Sequence, residues 1–212
     1  MNIFLCGQKS FGREVLKRLL LDGHTITGVA VPPQEKYYDK THGLAVKEQI
    51  PSIINSERFV SKDIPSGTDL IVAAHSHHFI SRQTREKARM GAIGFHPSLL
   101  PRHRGRDSVR WTIAFCDPIA GGTIYWFDEK TDGGPVFSQR LIFVNRNWDY
   151  HELWRRLFPI GVEMISEACR RIASGDRTAF IQNEEFTTWE PSFDAPRLFR
   201  PELIQLGQVE DE

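Results

Sequence analysis

Short, unbroken apolar runs recur through the first half of the chain, separated by segments whose apolar positions follow helical spacing. Residues 2–6 (NIFLC), 24–31, 69–74 and 92–95 (AIGF) are such runs, the pattern of strands buried on both faces of a parallel sheet. Between the first two, residues 14–21 set Val15, Leu16, Leu19 and Leu20 on one helical face, and Gly23 closes the helix. This β-α-β opening predicts an α/β fold with a doubly wound, mostly parallel, Rossmann-like sheet. A short helix is expected over 44–49, a short strand at Ile53 and Ile54, and a helix over 83–89 capped by Ser81.

The second half changes rhythm. Residues 123–127 and 136–144 read as strands, and Asp107 is the expected N-cap of a helix carrying Val109, Trp111, Ile113 and Phe115, with Trp111 in the core. Asp149 caps a long helix reaching Ala173, interrupted by Pro159 and closed by Gly175. Beyond it the chain is rich in Pro, Phe and charge, so residues 1–175 are expected to form the catalytic domain and 176–212 a C-terminal extension, an arm packed on the domain or on a second subunit.

Composition narrows the class of partner. The 212 residues carry 27 basic against 27 acidic side chains, which gives no field to draw in nucleic acid or an anionic membrane. Cys6, Cys116 and Cys169 lie far apart in apolar segments, as buried free thiols of a reducing compartment do; with neither a signal-peptide pattern nor a long apolar run, a cytoplasmic location is expected. The turn at residues 7–12 lacks GxGxxG, and Arg13-Glu14 replaces the Lys-Ser/Thr of a P-loop. No metal is expected, because the three histidines His75, His77 and His78 have no acidic or cysteine ligand beside them. The polar segment 34–43 reads as a loop in which Tyr37, Tyr38 and His42 are surface aromatics.

Chemistry concentrates between Gly91 and Gln139. His96 follows an apolar strand and precedes the stiff turn of Pro97 and Pro101, so it stands at a strand's carboxyl end, where open parallel sheets place their active sites. A second strand ends at the acidic loop DEKTDGGP, residues 128–135, whose paired glycines allow close backbone approach. His96-Pro97-Ser98-Leu99-Leu100-Pro101, then Arg104-Gly105, then Asp132-Gly133-Gly134-Pro135 together resemble the formyltransferases that use 10-formyltetrahydrofolate, which act on glycinamide ribonucleotide, methionyl-tRNA or sugar nucleotides. The likeness runs over roughly the first 175 residues. One position departs: the family pattern Asn-x-His is here Gly94-Phe95-His96.

The resemblance implies 10-formyltetrahydrofolate as co-substrate, His96 and Asp132 as catalytic residues, and a pterin bordered by His77, His78, Phe79 and Ile80 on one side and by Asp128, Lys130 and Thr131 on the other. Gly94, His75, Arg104 and Arg106 are expected on the acceptor side, His75 or His77 being the nearest replacements for the missing asparagine donor. The expected reaction is formyl transfer to the primary amine of a small acceptor such as an amino-sugar nucleotide; a hydrolase delivering the formyl group to water and a folate binder without turnover are the alternatives. The arm is too short for the extra domain of the tRNA-specific members, and a homodimer is a possible assembly.

Overall fold

The computed structural model describes residues 1–33, 39–54, 60–76 and 78–193. Its centre is a seven-stranded sheet in the order β3-β2-β1-β4-β5-β6-β7. Strands β1 (Asn2–Gly7), β2 (Thr25–Val31), β3 (Ser52–Ile54), β4 (Leu70–Ala74) and β5 (Ala92–His96) run parallel; β6 (Ile119–Trp126) and β7 (Val136–Phe143) continue the sheet antiparallel. Helices α1 (Lys9–Leu21), α2 (Lys40–Lys47), α3 (Arg82–Arg85), α4 (Ser108–Ala114) and α5 (Tyr150–Ala173) complete the fold.

The apolar runs become buried strands because both sheet faces are covered. On one face Ile3, Leu5, Val72, Ile93 and Phe95 pack with α1 and α5 through Phe11, Leu16, Ile165 and Ala168. On the other, Phe4, Cys6, Ile71 and Ala73 meet Ile80, Ala88 and Ala92. Alternation along β5 therefore sends Phe95 toward α5 and sends Gly94 and His96 to the opposite face.

Several boundaries differ from those expected. The turn assigned to residues 7–12 is already helix: α1 starts at Lys9, whose N–H donates to Asp39 at 2.6 Å, and Gly12 packs directly on Gly7. Helix α3 is only one turn, although Ser81 caps it, because Arg89 and Met90 turn away to donate to the Thr68 and Asp69 carbonyls. Asp107 does not cap α4. It sits at φ +62°, and its carboxylate accepts from Ser192 and from the Phe193 amide. Trp111 is half-buried rather than core; its indole donates to the Pro191 carbonyl at 2.8 Å and its ring lies 4.5 Å from Phe193. Cys116 is exposed in the turn after α4, whereas Cys6 and Cys169 are buried. Asp149 does cap α5, accepting from the Glu152 amide. Residues 176–193 lie against the domain; Tyr37, Tyr38, His77 and the chain from residue 194 lie outside the described residues.

Candidate active site

The hairpin of β6 and β7 brings the acidic loop back to the carboxyl end of β5. Gly94 pairs with Tyr125 and His96 with Thr123 in the antiparallel register. The loop closes tightly at Gly134, where a Cβ would stand 1.8 Å from the Trp126 carbonyl oxygen, so only glycine fits. The result sets His96 Nδ1 3.6 Å from Asp132 Oδ2.

That distance is too long for a hydrogen bond and suits an ion pair once the imidazole is protonated. His96 Nε2 lies 2.7 Å from the His103 carbonyl, which only accepts, so Nε2 carries a hydrogen and Nδ1 is the nitrogen left facing Asp132. Asp132 is itself held firmly, at φ +50°: Oδ2 accepts from the Gly105 amide at 2.7 Å and Oδ1 from the Tyr125 hydroxyl at 2.6 Å. Burial, reinforced by the neighbouring Asp132, raises the Tyr125 phenol well above its ordinary range, so it stays a donor.

Other expected site residues fall differently. Phe79 is exposed, while His78 and Ile80 are buried at the foot of α3. Across from them Asp128 accepts from the Lys130 amide, Thr131 is exposed, and Glu129 forms an ion pair with Arg85 that ties the loop to α3. A groove of about 370 Å³ runs between α3 and the sheet, lined by Arg85, Arg89, Met90, Ala92, Trp126 and Phe127 among others. It lies further toward the amino end of β5 than the placement between residues 77–80 and 128–132.

Arg104 is not on an acceptor surface. It is buried, its guanidinium bonded to Gln182 Oε1 and to both Glu184 oxygens, because the segment after α5 folds over it. Arg106 is exposed. His75 stands at φ +59° with its ring 6.3 Å from Trp154 of α5, the layer on the far side of the sheet from the Gly94 side-chain direction, and so does not supply the missing donor. The space at Gly94 is not open either: a Cβ there would meet Phe127 Cε1 at 2.5 Å. Phe127 stacks on Tyr125, ring centroids 5.1 Å apart, and fills the place of the family's asparagine.

The sequence reading missed Tyr125, Phe127, His103, Gln182 and Glu190. His103 is buried between two carboxylates, Nδ1 3.1 Å from Glu190 and Nε2 2.8 Å from Asp117. Burial alone would lower its pKa, but the bonds to Glu190 and Asp117 outweigh it and raise the imidazole above 6.5. Glu184 is held down to about 2 by Arg104 and Lys130. The signs define a pH window for the C-terminal segment. The His103 contribution is complete below 6.5 and is lost as pH rises through the raised value; the Glu184 contribution is present above 4.5 and is lost as pH falls toward about 2. Melting temperature against pH should show an alkaline decline that disappears in His103→Gln; an unchanged decline in that variant would remove His103 as its origin.

A glycine-tight acidic loop brings a strand-end histidine beside a carboxylate held between an amide and a phenol, an arrangement able to move a proton. The chain belongs to the formyl transferase family, whose sequence profile matches residues 1–169. That family uses 10-formyltetrahydrofolate as co-substrate. The mitochondrial 10-formyltetrahydrofolate dehydrogenase of Mus musculus is 32% identical over 201 residues, 90% of this chain but 22% of that protein, and the cytosolic one of Xenopus tropicalis 34% identical over 202 residues. The chain thus spans about a fifth of the length of these dehydrogenases. The methionyl-tRNA formyltransferase of Lactiplantibacillus plantarum is 27% identical over 202 residues, 90% of this chain and 64% of that protein. In fold the chain matches an N-formyltransferase from Helicobacter canadensis, solved with folinic acid and dTDP-3-aminofucose, with TM-score 0.71 at 16% identity over 88% of this chain and 69% of that one. Among the described residues no group of three or more His, Cys, Asp or Glu is arranged to hold a metal ion, and no helix is long and apolar enough to cross a membrane.

Proposed function

We propose that the chain transfers the formyl group of 10-formyltetrahydrofolate to the primary amine of a small acceptor, such as an amino-sugar nucleotide. The observation that carries this reading is the His96–Asp132 pair, with Asp132 fixed on both oxygens and His96 Nδ1 facing it. Phe79, Ile80 and the loop carrying Asp128, Lys130 and Thr131 are assigned to the folate side; Arg106, exposed before α4, is left for the acceptor.

In the reaction the amine nitrogen bonds to the formyl carbon, the carbonyl oxygen takes the negative charge, and the bond from that carbon to N10 breaks. The proton lost by the amine passes to the Asp132–His96 pair and on to N10, leaving the N-formyl product and tetrahydrofolate. His96 as imidazolium, stabilised by Asp132, supplies positive charge near the oxyanion. The test supplies 10-formyltetrahydrofolate to the purified protein with and without amino-sugar nucleotides, following tetrahydrofolate, formate and formylated product separately. Product dependent on an amine supports transfer, and formate without any amine replaces it with the hydrolytic reaction.

A second reading, folate binding without turnover, is favoured by one observation: Phe127 stands where the oxyanion donor belongs. Tight binding of folinic acid with neither product formed would establish it.

A further inference from the structure

Both members of the His96–Asp132 pair are held in place from the segment beyond residue 169, where the family match ends. The closest hold on Asp132 is Gln182, which is buried, 5% exposed. Its Nε2 donates to the main-chain carbonyls of Asp132, at 2.8 Å, and Gly134, at 2.7 Å. Its Oε1 accepts from Arg104 Nε at 3.1 Å and Nη2 at 2.8 Å. Two carbonyls can only accept and a guanidinium can only donate, so the amide has one possible orientation, and both its N–H groups and both its lone pairs are used. No carboxylate or apolar side chain of the same length satisfies all four partners.

These bonds act on the residues that set the pair's geometry. Asp132 sits in the left-handed region, which a non-glycine residue holds only under outside constraint, and its carboxylate meets the Gly105 amide, one residue from the Arg104 that Gln182 also grips. Gln182 thus fastens both sides of the Asp132–Gly105 contact. On the His96 side, Glu190 and Thr188 hold His103, whose carbonyl takes the His96 Nε2 hydrogen.

We propose that Gln182 is a positioning residue for the formyl-transfer pair, so that the segment 176–193 works as part of the catalytic unit rather than as an appendage. The proposal rests on the His96–Asp132 reading of function. Gln182→Glu separates a positioning role from a merely structural one: the carboxylate still accepts from Arg104, but it turns an acceptor oxygen toward the two carbonyls, so that the tether to residues 132–134 is replaced by repulsion. In that variant kcat should fall between about 10- and 100-fold, the scale of a misplacement near 1 Å. The KM for 10-formyltetrahydrofolate should change by less than kcat, because the two tethered carbonyls lie on the Asp132 side of the loop rather than on its folate-side residues 128–131. Hydrogen exchange at the Gly105 amide, which needs no turnover, should become measurably faster. If the wild type proves inactive, the reaction assigned above fails while the exchange measurement still tests the tether. Should Gln182→Glu not fold, Gln182→Asn, an amide of shorter reach, reads the same quantities. Wild-type kcat together with wild-type Gly105 exchange would overturn the proposal, as would a change confined to KM.

Discussion

Replacing His96 should lower formyl-group removal from 10-formyltetrahydrofolate by about 10²–10⁴-fold, the range of a lost general acid–base group. His96 is a buried strand-end residue rather than a free loop residue, so the choice of variant matters. His96→Ala would leave the His103 carbonyl without its donor at a cost of about 1–3 kcal/mol, mixing stability with chemistry. His96→Gln retains an amide N–H able to reach that carbonyl and removes only the ring nitrogen that faces Asp132, so its rate loss reports the chemistry rather than the fold. Asp132→Asn should lose rate on the same scale. An amide cannot accept from both Gly105 and Tyr125 as the carboxylate does, and it offers no charge to the imidazolium. Turnover within a few-fold of wild type in His96→Gln, with an unchanged melting temperature, would remove His96 from the mechanism.

The parts of this site that the sequence displayed are those encoded by neighbours in the chain. His96 could be placed because an apolar run and a Pro turn bracket it, and Asp132 because its loop carries paired glycines. The mostly parallel sheet followed from the β-α-β rhythm in the same way. What stayed hidden comes from contacts across 50 residues or more: Gln182 to Asp132, Arg104 to Gln182, His103 to Glu190. A polar side chain in a Pro- and Phe-rich tail has no periodicity to mark it as buried, so Arg104 read as a cation of the acceptor side. Tyr125 and Phe127 were within reach. Once β6 is taken as antiparallel to β5, Gly94 falls opposite Tyr125, and a glycine beside aromatics on one sheet face signals that a ring occupies its side-chain space.

That exchange of asparagine for glycine, with a phenylalanine in the gap, gives the second large effect. Gly94→Asn alone should not accelerate transfer. Its Cβ would stand 2.5 Å from Phe127 Cε1, and the ring is wedged between the Ile80–Ala92 cluster and Tyr125, so the variant should be overpacked by about 1–3 kcal/mol with its amide misdirected. Phe127→Ala alone should also gain nothing, since it opens the space without adding a donor. The double variant brings amide and room together. If the oxyanion is unassisted in the wild type, the pair should raise kcat by about 10²–10³-fold, the worth of one oxyanion donor, while neither single change does. Stability should show the same coupling, the Gly94→Asn penalty shrinking in the Phe127→Ala background. Because Phe127 directly precedes the Asp128 loop assigned to the folate, its removal also bears on KM, and kcat rather than kcat/KM is the quantity to read. A double variant that folds and turns over no faster than wild type would mean that the charge on the formyl oxygen is already met by other groups.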